Sequence, residues 1–574
     1  MRPIRIATAC CLAALIAGCA AQTELSDASQ PAPGASEEQR VVVTGQRTDG
    51  AANDQAGYVP PAPPPPPATA KVRSDAIASG GLVRPSPAPE AEMSRYPHHI
   101  PPVMVAQDPG RERYDGKEVS PVKLTASEPV STFSVDVDTG AYANARRFLM
   151  QGRMPPRDAV RTEEMINYFR YNYPMPDSRE APFSITTDVA VSPWNPDTRL
   201  MRIGLRGYDL AKKGRPPANL VFLMDVSGSM RSPDKLPLVK TALSGLAGEL
   251  GKQDRVSIVV YAGAAGMVLE PTNDERKIRA ALERLQAGGS TAGAAGLKLA
   301  YNIARDNFIE GGVNRILIAT DGDFNVGVSD TKSLIEMIEH ERDHGITLTT
   351  LGFGTGNYNE AMMEQIADHG NGNYAYIDSA LEARKVLGDQ MESTLFTIAK
   401  DVKIQVEFNP AAVSQYRLLG YENRALREED FDNDKVDAGD IGAGHQVTAI
   451  YEIVPRGAKG WIAPRRYQDP LPAAASSRSG ELAHVKLRYK LPNGSTSRLI
   501  QRVVPARALA TSARPTGDFA FAAAVAAFGQ TMRGDELLKD FTYADVAALA
   551  KGHGDYWRQE FLRLVGVADS MKGG

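Results

Sequence analysis

The chain has 574 residues, of which 43% are hydrophobic and 23% are charged, and its formal net charge is −4 at pH 7. That length accommodates several domains, and because Lys and Arg are scattered along it, nucleic acid is excluded as an expected partner. The three cysteines are Cys10, Cys11 and Cys19. The rest of the chain therefore offers no disulfides and no thiolate metal ligands.

Residues 1–18 are predicted to be a secretory signal, with a basic end followed by an apolar stretch too short to span a bilayer. The stretch closes with the letters LIAGC at 15–19, which resemble the bacterial lipobox. This resemblance implies cleavage before Cys19 and a lipid attached to it. Because Ala20 rather than Asp follows, it also implies an outer-membrane anchor that faces the periplasm.

The next segment, 19–122, is rich in Pro, Ala, Gly and Ser and contains a proline run at 60–67. Such a composition buries too little apolar surface to offset the entropy of ordering, and proline runs act as semi-rigid spacers. We therefore predict a disordered tether between the membrane anchor and the folded domains.

A small ordered region is predicted at 123–212. Helical patterns occur at 139–150 and 162–169, and alternating patterns typical of half-buried strands occur at 183–191 and 199–205. We interpret this region as a flank of the domain that follows.

The pattern changes in the segment 215–396, where short continuous apolar runs alternate with helical segments. Continuous runs indicate strands buried on both faces, so the segment is predicted to be an α/β domain with a Rossmann-like, doubly wound parallel sheet. The predicted strands are 220–224, 256–261, 315–320, 346–351 and 374–377. The predicted helices are 233–250, 275–285, 292–307, 331–343, 359–368 and 381–392.

The last segment, 400–574, is predicted to be β-rich and then helical. The β-rich flanks before 206 and after 399 each hold too few strands for a good sandwich alone, so we expect them to pair around an inserted α/β domain. The predicted strands are 402–408, 446–453, 482–489 and 497–504, and the helical tail comprises 518–532, 543–550 and 555–568.

Polar side chains follow two of the predicted parallel strands and precede one helix. Asp225, Ser227 and Ser229 come directly after the strand at 220–224, Thr291 precedes a helix, and Asp321 follows the strand at 315–320. The D-x-S-x-S loop, the Thr and the second Asp resemble the metal-ion-dependent adhesion site of the von Willebrand factor type A (VWA) family. The flanks are also similar to those of bacterial VWA lipoproteins.

This resemblance implies that Ser227, Ser229 and Thr291 bind a divalent metal directly, while Asp225 and Asp321 accept hydrogen bonds from metal-bound water. Oxygen ligands suit Mg²⁺, and Mn²⁺ and Ca²⁺ are alternatives. A shell of mostly neutral ligands leaves the ion electrophilic, so we expect it to bind an Asp or Glu side chain of a partner protein.

Two neighbouring residues are alternatives for the predicted ligands. Ser290 is adjacent to Thr291, and Asp323 is two residues from Asp321. Sequence alone leaves either member of each pair open as the metal-site residue.

Two other motifs suggest enzymes. His340-Glu341-x-x-His344 matches a zinc-peptidase pattern, but its variable positions are charged and Gly345 ends the helix, which favours a solvated helix end. The D-T-G at 138–140 resembles an aspartic-protease loop without the second copy that would pair the carboxylates, so we interpret it as a helix start that is capped near Asp138.

The sequence therefore favours a non-enzymatic, metal-dependent binding protein of the bacterial envelope. One alternative is an envelope metal-dependent hydrolase or peptidase, and another is a scaffold whose metal site is vestigial.

Overall fold

The computed structural model describes residues 112–211, 214–322, 331–463, 465 and 480–572. The predicted signal at 1–18, Cys19 and nearly all of the tether lie outside the described residues. In the described ranges, no helix has both the length and the apolar content that crossing a membrane requires.

The N-terminal flank forms the strands and helices expected from its patterns, and two additional short strands that carry little pattern of their own. Its elements are β1 (Lys123–Leu124), β2 (Val130–Ser134), α1 (Gly140–Met150), α2 (Thr162–Asn167), β3 (Phe183–Val191) and β4 (Arg199–Gly207).

The α/β domain follows, with six strands in the order β10-β9-β8-β5-β6-β7. All neighbouring strands are parallel except β6 and β7. Its elements are β5 (Ala218–Asp225), α3 (Leu236–Ala247), β6 (Arg255–Tyr261), β7 (Ala265–Thr272), α4 (Glu275–Arg284), α5 (Gly293–Asp306), β8 (Val313–Thr320), α6 (Thr331–Asp343), β9 (Ile346–Phe353), α7 (Glu360–His369), β10 (Tyr374–Ile377), α8 (Ala380–Arg384) and α9 (Met391–Leu395).

Two details differ from the prediction. The sheet is mixed, because β7 pairs antiparallel at one edge, and its half-exposed residues lack the continuous apolar run that marks a central strand. The helix predicted at 381–392 is divided by a π-helical turn at Lys385–Asp389. The α/β class itself is confirmed.

Strand β5 shows why the apolar runs are continuous. Alternate side chains of a strand point to opposite faces of the sheet. Leu220 and Phe222 belong to a core that includes residues of α3 and α4, whereas Val221 and Leu223 belong to another that includes residues of α5 and α6. Both faces are thus covered, and the carboxyl ends of the parallel strands remain free for a site.

The C-terminal part supplies the remaining strands and the helical tail. Its elements are β11 (Thr397–Phe408), β12 (Val413–Leu419), β13 (Ala425–Leu426), β14 (Ile441–Gly442), β15 (Gln446–Pro455), β16 (Glu481–Lys490), β17 (Ser497–Pro505), α10 (Arg507–Ala510), α11 (Gly517–Arg533), α12 (Tyr543–Leu549) and α13 (Tyr556–Lys572).

Strands from before and after the α/β domain pair with each other. One antiparallel sheet has the order β1-β12-β15-β4-β3, and the other has the order β13-β2-β11-β16-β17, with β14 also paired to β11. The pairs β4 with β15 and β2 with β11 join the two flanks. The α/β domain is therefore inserted between β-rich flanks, as predicted, and α11 is buried against the N-terminal flank and the other tail helices.

Candidate metal site

Two buried carboxylates meet where neighbouring strands β5 and β8 end. Asp225 is the last residue of β5, and Asp321 directly follows β8, which runs parallel to β5. Both side chains are 0% exposed. The Thr320 hydroxyl donates a hydrogen bond of 3.0 Å to Asp225 Oδ2. Two acids distant in sequence thus become neighbours because parallel strands end at the same edge.

The serine loop lies directly above Asp225. The backbone N–H of Ser227 donates to Asp225 Oδ1 at 2.8 Å, and the hydroxyl oxygens of Ser227 and Ser229 are 3.0 Å apart. Ser227 is only 2% exposed, whereas Ser229 is exposed. The structure therefore brings together two of the predicted hydroxyl ligands, with one of them at the protein surface.

A second loop, carrying Thr291, packs against the serine loop. Gly228 N–H donates to the Gly289 carbonyl at 3.0 Å, and Gly288 N–H donates to the Val226 carbonyl at 2.8 Å. Gly289 has φ +88°, a conformation that residues with a Cβ rarely adopt. These contacts place the loop beside the predicted site, so Thr291 stays a predicted ligand.

The structure bears differently on the two alternative residues. Thr291 is 7% exposed and Ser290 is exposed. Asp321 is buried beside Asp225, and Asp323 lies outside the described residues. The choice within each pair is still a prediction.

Burial makes ionisation of the Asp225 carboxyl unfavourable. Burial and, after it, the neighbouring Asp321 raise the pKa of Asp225 to about 6, although hydrogen bonds from Ser227 and Thr320 oppose the shift. Desolvation and like charge both disfavour the ionised carboxylate. A bound cation would relieve both effects.

One buried cation is already present, and sequence reasoning missed it. Lys235, 1% exposed, donates from Nζ to Asp321 Oδ2 at 2.9 Å and to Asn357 Oδ1 at 3.0 Å. In the sequence, Lys235 lies in the segment predicted as a helix at 233–250, where a Lys is ordinarily solvated. In the sequence, the only indication that Lys235 belongs to the site is its position a few residues after the D-x-S-x-S loop.

The donor set fits a divalent metal only if the hydroxyls take part. In the described part of the chain, no three His, Cys, Asp or Glu side chains are grouped so that they hold a metal by themselves. The hydroxyls of Ser227 and Ser229 above Asp225 provide the oxygen ligands that Mg²⁺ prefers. The residues present therefore fit the predicted ion.

The zinc-peptidase motif has a different environment. His340 and His344 are exposed at the end of α6, with ring centroids 4.4 Å apart, and His344 Nδ1 lies 2.7 Å from the His340 carbonyl oxygen. The intervening Glu341 is buried and forms an ion pair with Arg305. This arrangement favours a structural role for the motif.

The D-T-G segment also differs from its predicted role. Asp138 does not cap α1, because its carboxylate accepts hydrogen bonds from the backbone N–H of Tyr374 at 2.8 Å and from Arg424 at 3.0 Å. Thr139 precedes α1 and makes no capping hydrogen bond with its side chain. A helix does start near Asp138, as predicted, but the side chains of Asp138 and Thr139 do not cap it, and the Asp138 carboxylate instead binds residues that are distant in sequence.

Comparison with known proteins agrees with the α/β fold of the central domain. The family model for the von Willebrand factor type A domain matches residues 219–390, a von Willebrand factor model matches 108–202, and the model for "Uncharacterized protein YfbK, C-terminal" matches 393–571. "Uncharacterized protein YfbK" of Escherichia coli (strain K12) is 47% identical over 476 residues, which are 81% of this chain and 82% of that protein. The chain belongs to the YfbK family of VWA-domain proteins.

Other matches cover a smaller share of this chain. "Uncharacterized protein sll0103" of Synechocystis is 35% identical over 187 residues, which are 32% of this chain but only 43% of that protein. A solved structure, von Willebrand factor type A from Catenulispora acidiphila, covers 67% of this chain and 88% of its own, with 16% identity and a TM-score of 0.35. A VWA domain supports a role in protein interaction or adhesion, and VWA proteins of this kind are usually non-enzymatic.

Proposed function

We propose that this chain is a lipid-anchored protein of the bacterial envelope that binds a partner protein through a divalent metal. The observation that carries the proposal is the pair of hydroxyls, 3.0 Å apart, that lies over the buried carboxylate at the end of β5. The proposed metal-site residues are Asp225, Ser227, Ser229, Thr291 and Asp321, and the proposed lipid attachment is at Cys19.

Each part of the site has a distinct task. Ser227, Ser229 and Thr291 hold the ion, which is Mg²⁺ or, alternatively, Mn²⁺ or Ca²⁺. Asp225 fixes the serine loop through the Ser227 backbone N–H and, with Asp321, orients the water around the ion. When bound, the ion supplies a positive centre for a carboxylate from outside.

The exposure of Ser229 determines what can bind. Its hydroxyl is at the surface while the acids below it are buried, so a partner's Asp or Glu can approach from the solvent side. A lipid on Cys19, followed by the spacer at 19–122, would hold this surface in the periplasm, away from the outer membrane.

The test is cross-linking of the full chain in intact envelopes, followed by mass spectrometry, with and without a chelator. We expect cross-links from the serine loop to Asp- or Glu-bearing segments of a partner, lost both on chelation and in Ser227→Ala. Ser244→Ala, on α3, is the matched control and should retain them. Cross-links that persist in Ser227→Ala or in chelator would contradict the proposal.

A scaffold without metal is the second candidate, because Lys235 already pairs with Asp321. Mn²⁺ titration monitored by electron paramagnetic resonance separates the two. Binding by the wild type that is lost in Ser227→Ala supports the metal site, whereas no binding at millimolar Mn²⁺ supports the scaffold.

A further inference from the structure

The ammonium group of Lys235 is enclosed rather than simply placed near the site. The loop between β9 and α7 closes over its alkyl chain at Gly354, where φ is +75° and a Cβ would lie 2.3 Å from two Lys235 side-chain carbons. Only glycine permits that approach. The Tyr376 hydroxyl donates to the Gly354 carbonyl at 2.7 Å and holds the loop down.

The same loop is also fixed from its other side. Gly356 N–H donates to Glu112 Oε1 at 3.0 Å, and Arg113 N–H donates to the Tyr358 carbonyl at 2.9 Å. The loop carries Asn357, whose Oδ1 is the second acceptor for Lys235. The contact with Gly354 and the hydrogen bond to Asn357 therefore hold the Lys235 side chain where it pairs with Asp321.

The charges at the site make this lysine important for metal binding. Asp225 and Asp321 contribute two formal negative charges and Lys235 contributes one positive charge, so a divalent ion changes the local sum from −1 to +1. Without the lysine, the same ion would change it from −2 to zero. Like charges repel strongly where water is excluded.

We propose that Lys235 sets the metal affinity of this site by acting as a built-in cation that competes for Asp321. The inference rests on the proposed function and deepens it, since it concerns the regulation of the same site. In the metal-free protein, Lys235 satisfies Asp321 and keeps the loops in place. The consequence is a site that fills only when divalent metal is abundant and that releases the metal, and any carboxylate bound through it, readily.

The test measures Mn²⁺ dissociation constants by electron paramagnetic resonance, and Mg²⁺ by competition, on the full chain. Lys235→Met should bind either ion about tenfold more tightly than the wild type, because one repelling charge is gone. The control is Lys240→Met on α3, whose Nζ donates to the carbonyls of Glu283 and Leu285, away from the site. Its affinity should equal that of the wild type.

A second variant covers the case in which Lys235→Met fails to fold because Asp321 loses the hydrogen bond from Lys235. Lys235→Gln removes the charge but retains an amide that donates to Asp321, and it should show the same gain in affinity. Thermal unfolding with and without Mn²⁺ gives an independent readout, since tighter binding produces a larger increase in Tm.

The outcomes separate this inference from the proposed function. If the wild type binds metal and both Lys235 variants bind it equally or more weakly, Lys235 is a structural partner of Asp321 and the inference is overturned. If the wild type and Lys235→Gln both bind no metal, the proposed function fails as well. Tighter binding in Lys235→Gln that is abolished by adding Ser227→Ala supports both.

Discussion

Two groups of buried acids in the described part of the chain differ in how their charge is balanced. The proposed metal site has two carboxylates, one lysine and an exposed hydroxyl at its rim. The other group, called here the junction cluster, lies where both flanks meet α7 of the α/β domain. Its members are Asp136, Asp138, Glu163, Glu164, Glu360 and Glu364, with Arg161 and Arg424 as the cations.

In the junction cluster the acids are balanced partly by the two arginines and partly by protons, because burial raises the pKa of several of these carboxyls. Arg424 lies 3.0 Å from Asp138 and 3.3 Å from Glu364, and Arg161 lies 2.5 Å from Glu364. Burial raises the pKa of Glu360 to about 8, so that this carboxyl is substantially protonated at neutral pH. Buried acids alone therefore do not indicate a ligand site, and the proposed metal site differs from the junction cluster in having an accessible hydroxyl above its acids at the ends of parallel strands.

The largest predicted effect is the loss of an arginine from the junction cluster. Arg424→Met should lower the free energy of unfolding by about 3–5 kcal/mol, because it leaves several buried carboxylates without their cation. Urea denaturation measures this loss. The control, Arg427→Met, changes a side chain that is 73% exposed and should cost less than about 0.5 kcal/mol. Equal losses in the two variants would show that the cluster is not balanced by Arg424.

The next effect is a pH dependence that arises at Glu360. Among the described residues, neither of its carboxylate oxygens has a hydrogen-bond partner, and its pKa is raised from 4.5 to about 8, by burial above all. Between these two pKa values the folded state retains a proton that the unfolded state has lost. The contribution of Glu360 to stability is therefore lost as the pH rises from about 4.5 towards 8.

The variant Glu360→Gln should remove part of that fall, on the order of 2 kcal/mol. The measurement is the free energy of unfolding by urea at pH 5, 6.5 and 8. Glu275→Gln, at a side chain that is 49% exposed on α4, is the control and should follow the wild-type profile. A Glu360→Gln profile parallel to that of the wild type would mean that the group is ionised in the folded protein.

At the proposed metal site, removing a carboxylate should stabilise the metal-free protein, as at Glu360, whereas removing Arg424 should destabilise it. Asp225→Asn removes a carboxylate whose pKa is raised to about 6, so the metal-free variant should be more stable than the wild type at pH 7.5 by about 1 kcal/mol. If Mg²⁺ binds as proposed, it should increase the Tm of the wild type, and Asp225→Asn should lose that increase. Asp306→Asn, exposed at the end of α5, should match the wild type in both respects.

The prediction fails if Asp225→Asn is less stable than the wild type without metal and its Tm still rises in Mg²⁺. Asp225 would then have a structural role, like the acids of the junction cluster. Thermal unfolding in chelator and in Mg²⁺ provides both numbers in one experiment.

The sequence predicts one of these two groups much better than the other. Strands β5 and β8 can be predicted because strands buried on both faces have continuous apolar runs. Asp225 and Asp321 come at the carboxyl ends of these runs. Parallel pairing then brings the two acids together. The core of the site is therefore encoded by short, local patterns at the strand ends.

What the sequence does not predict depends on contacts between distant segments. From the sequence, Lys235 is expected to be a solvated residue near a helix start. In the structure, the loop at Gly354 covers its side chain. From the sequence, a helix cap is expected near Asp138. In the structure, the carboxylate of Asp138 accepts hydrogen bonds from Tyr374 and Arg424 instead. Strand β7 has no strong pattern because an edge strand is only half-buried.

The smallest predicted change in stability comes from Ser229→Ala, and it separates an open site from a closed cluster most directly. Ser229 is exposed, so the free energy of unfolding in chelator should stay within about 0.5 kcal/mol of the wild type. Its hydroxyl is nevertheless 3.0 Å from that of Ser227. If both bind the ion, calorimetric titration should show weaker Mg²⁺ binding by Ser229→Ala, with Ser244→Ala unchanged. An unaltered Mg²⁺ affinity in Ser229→Ala would show that the accessible hydroxyl does not bind the ion. The proposed metal site would then no longer differ from the junction cluster in having an accessible ligand.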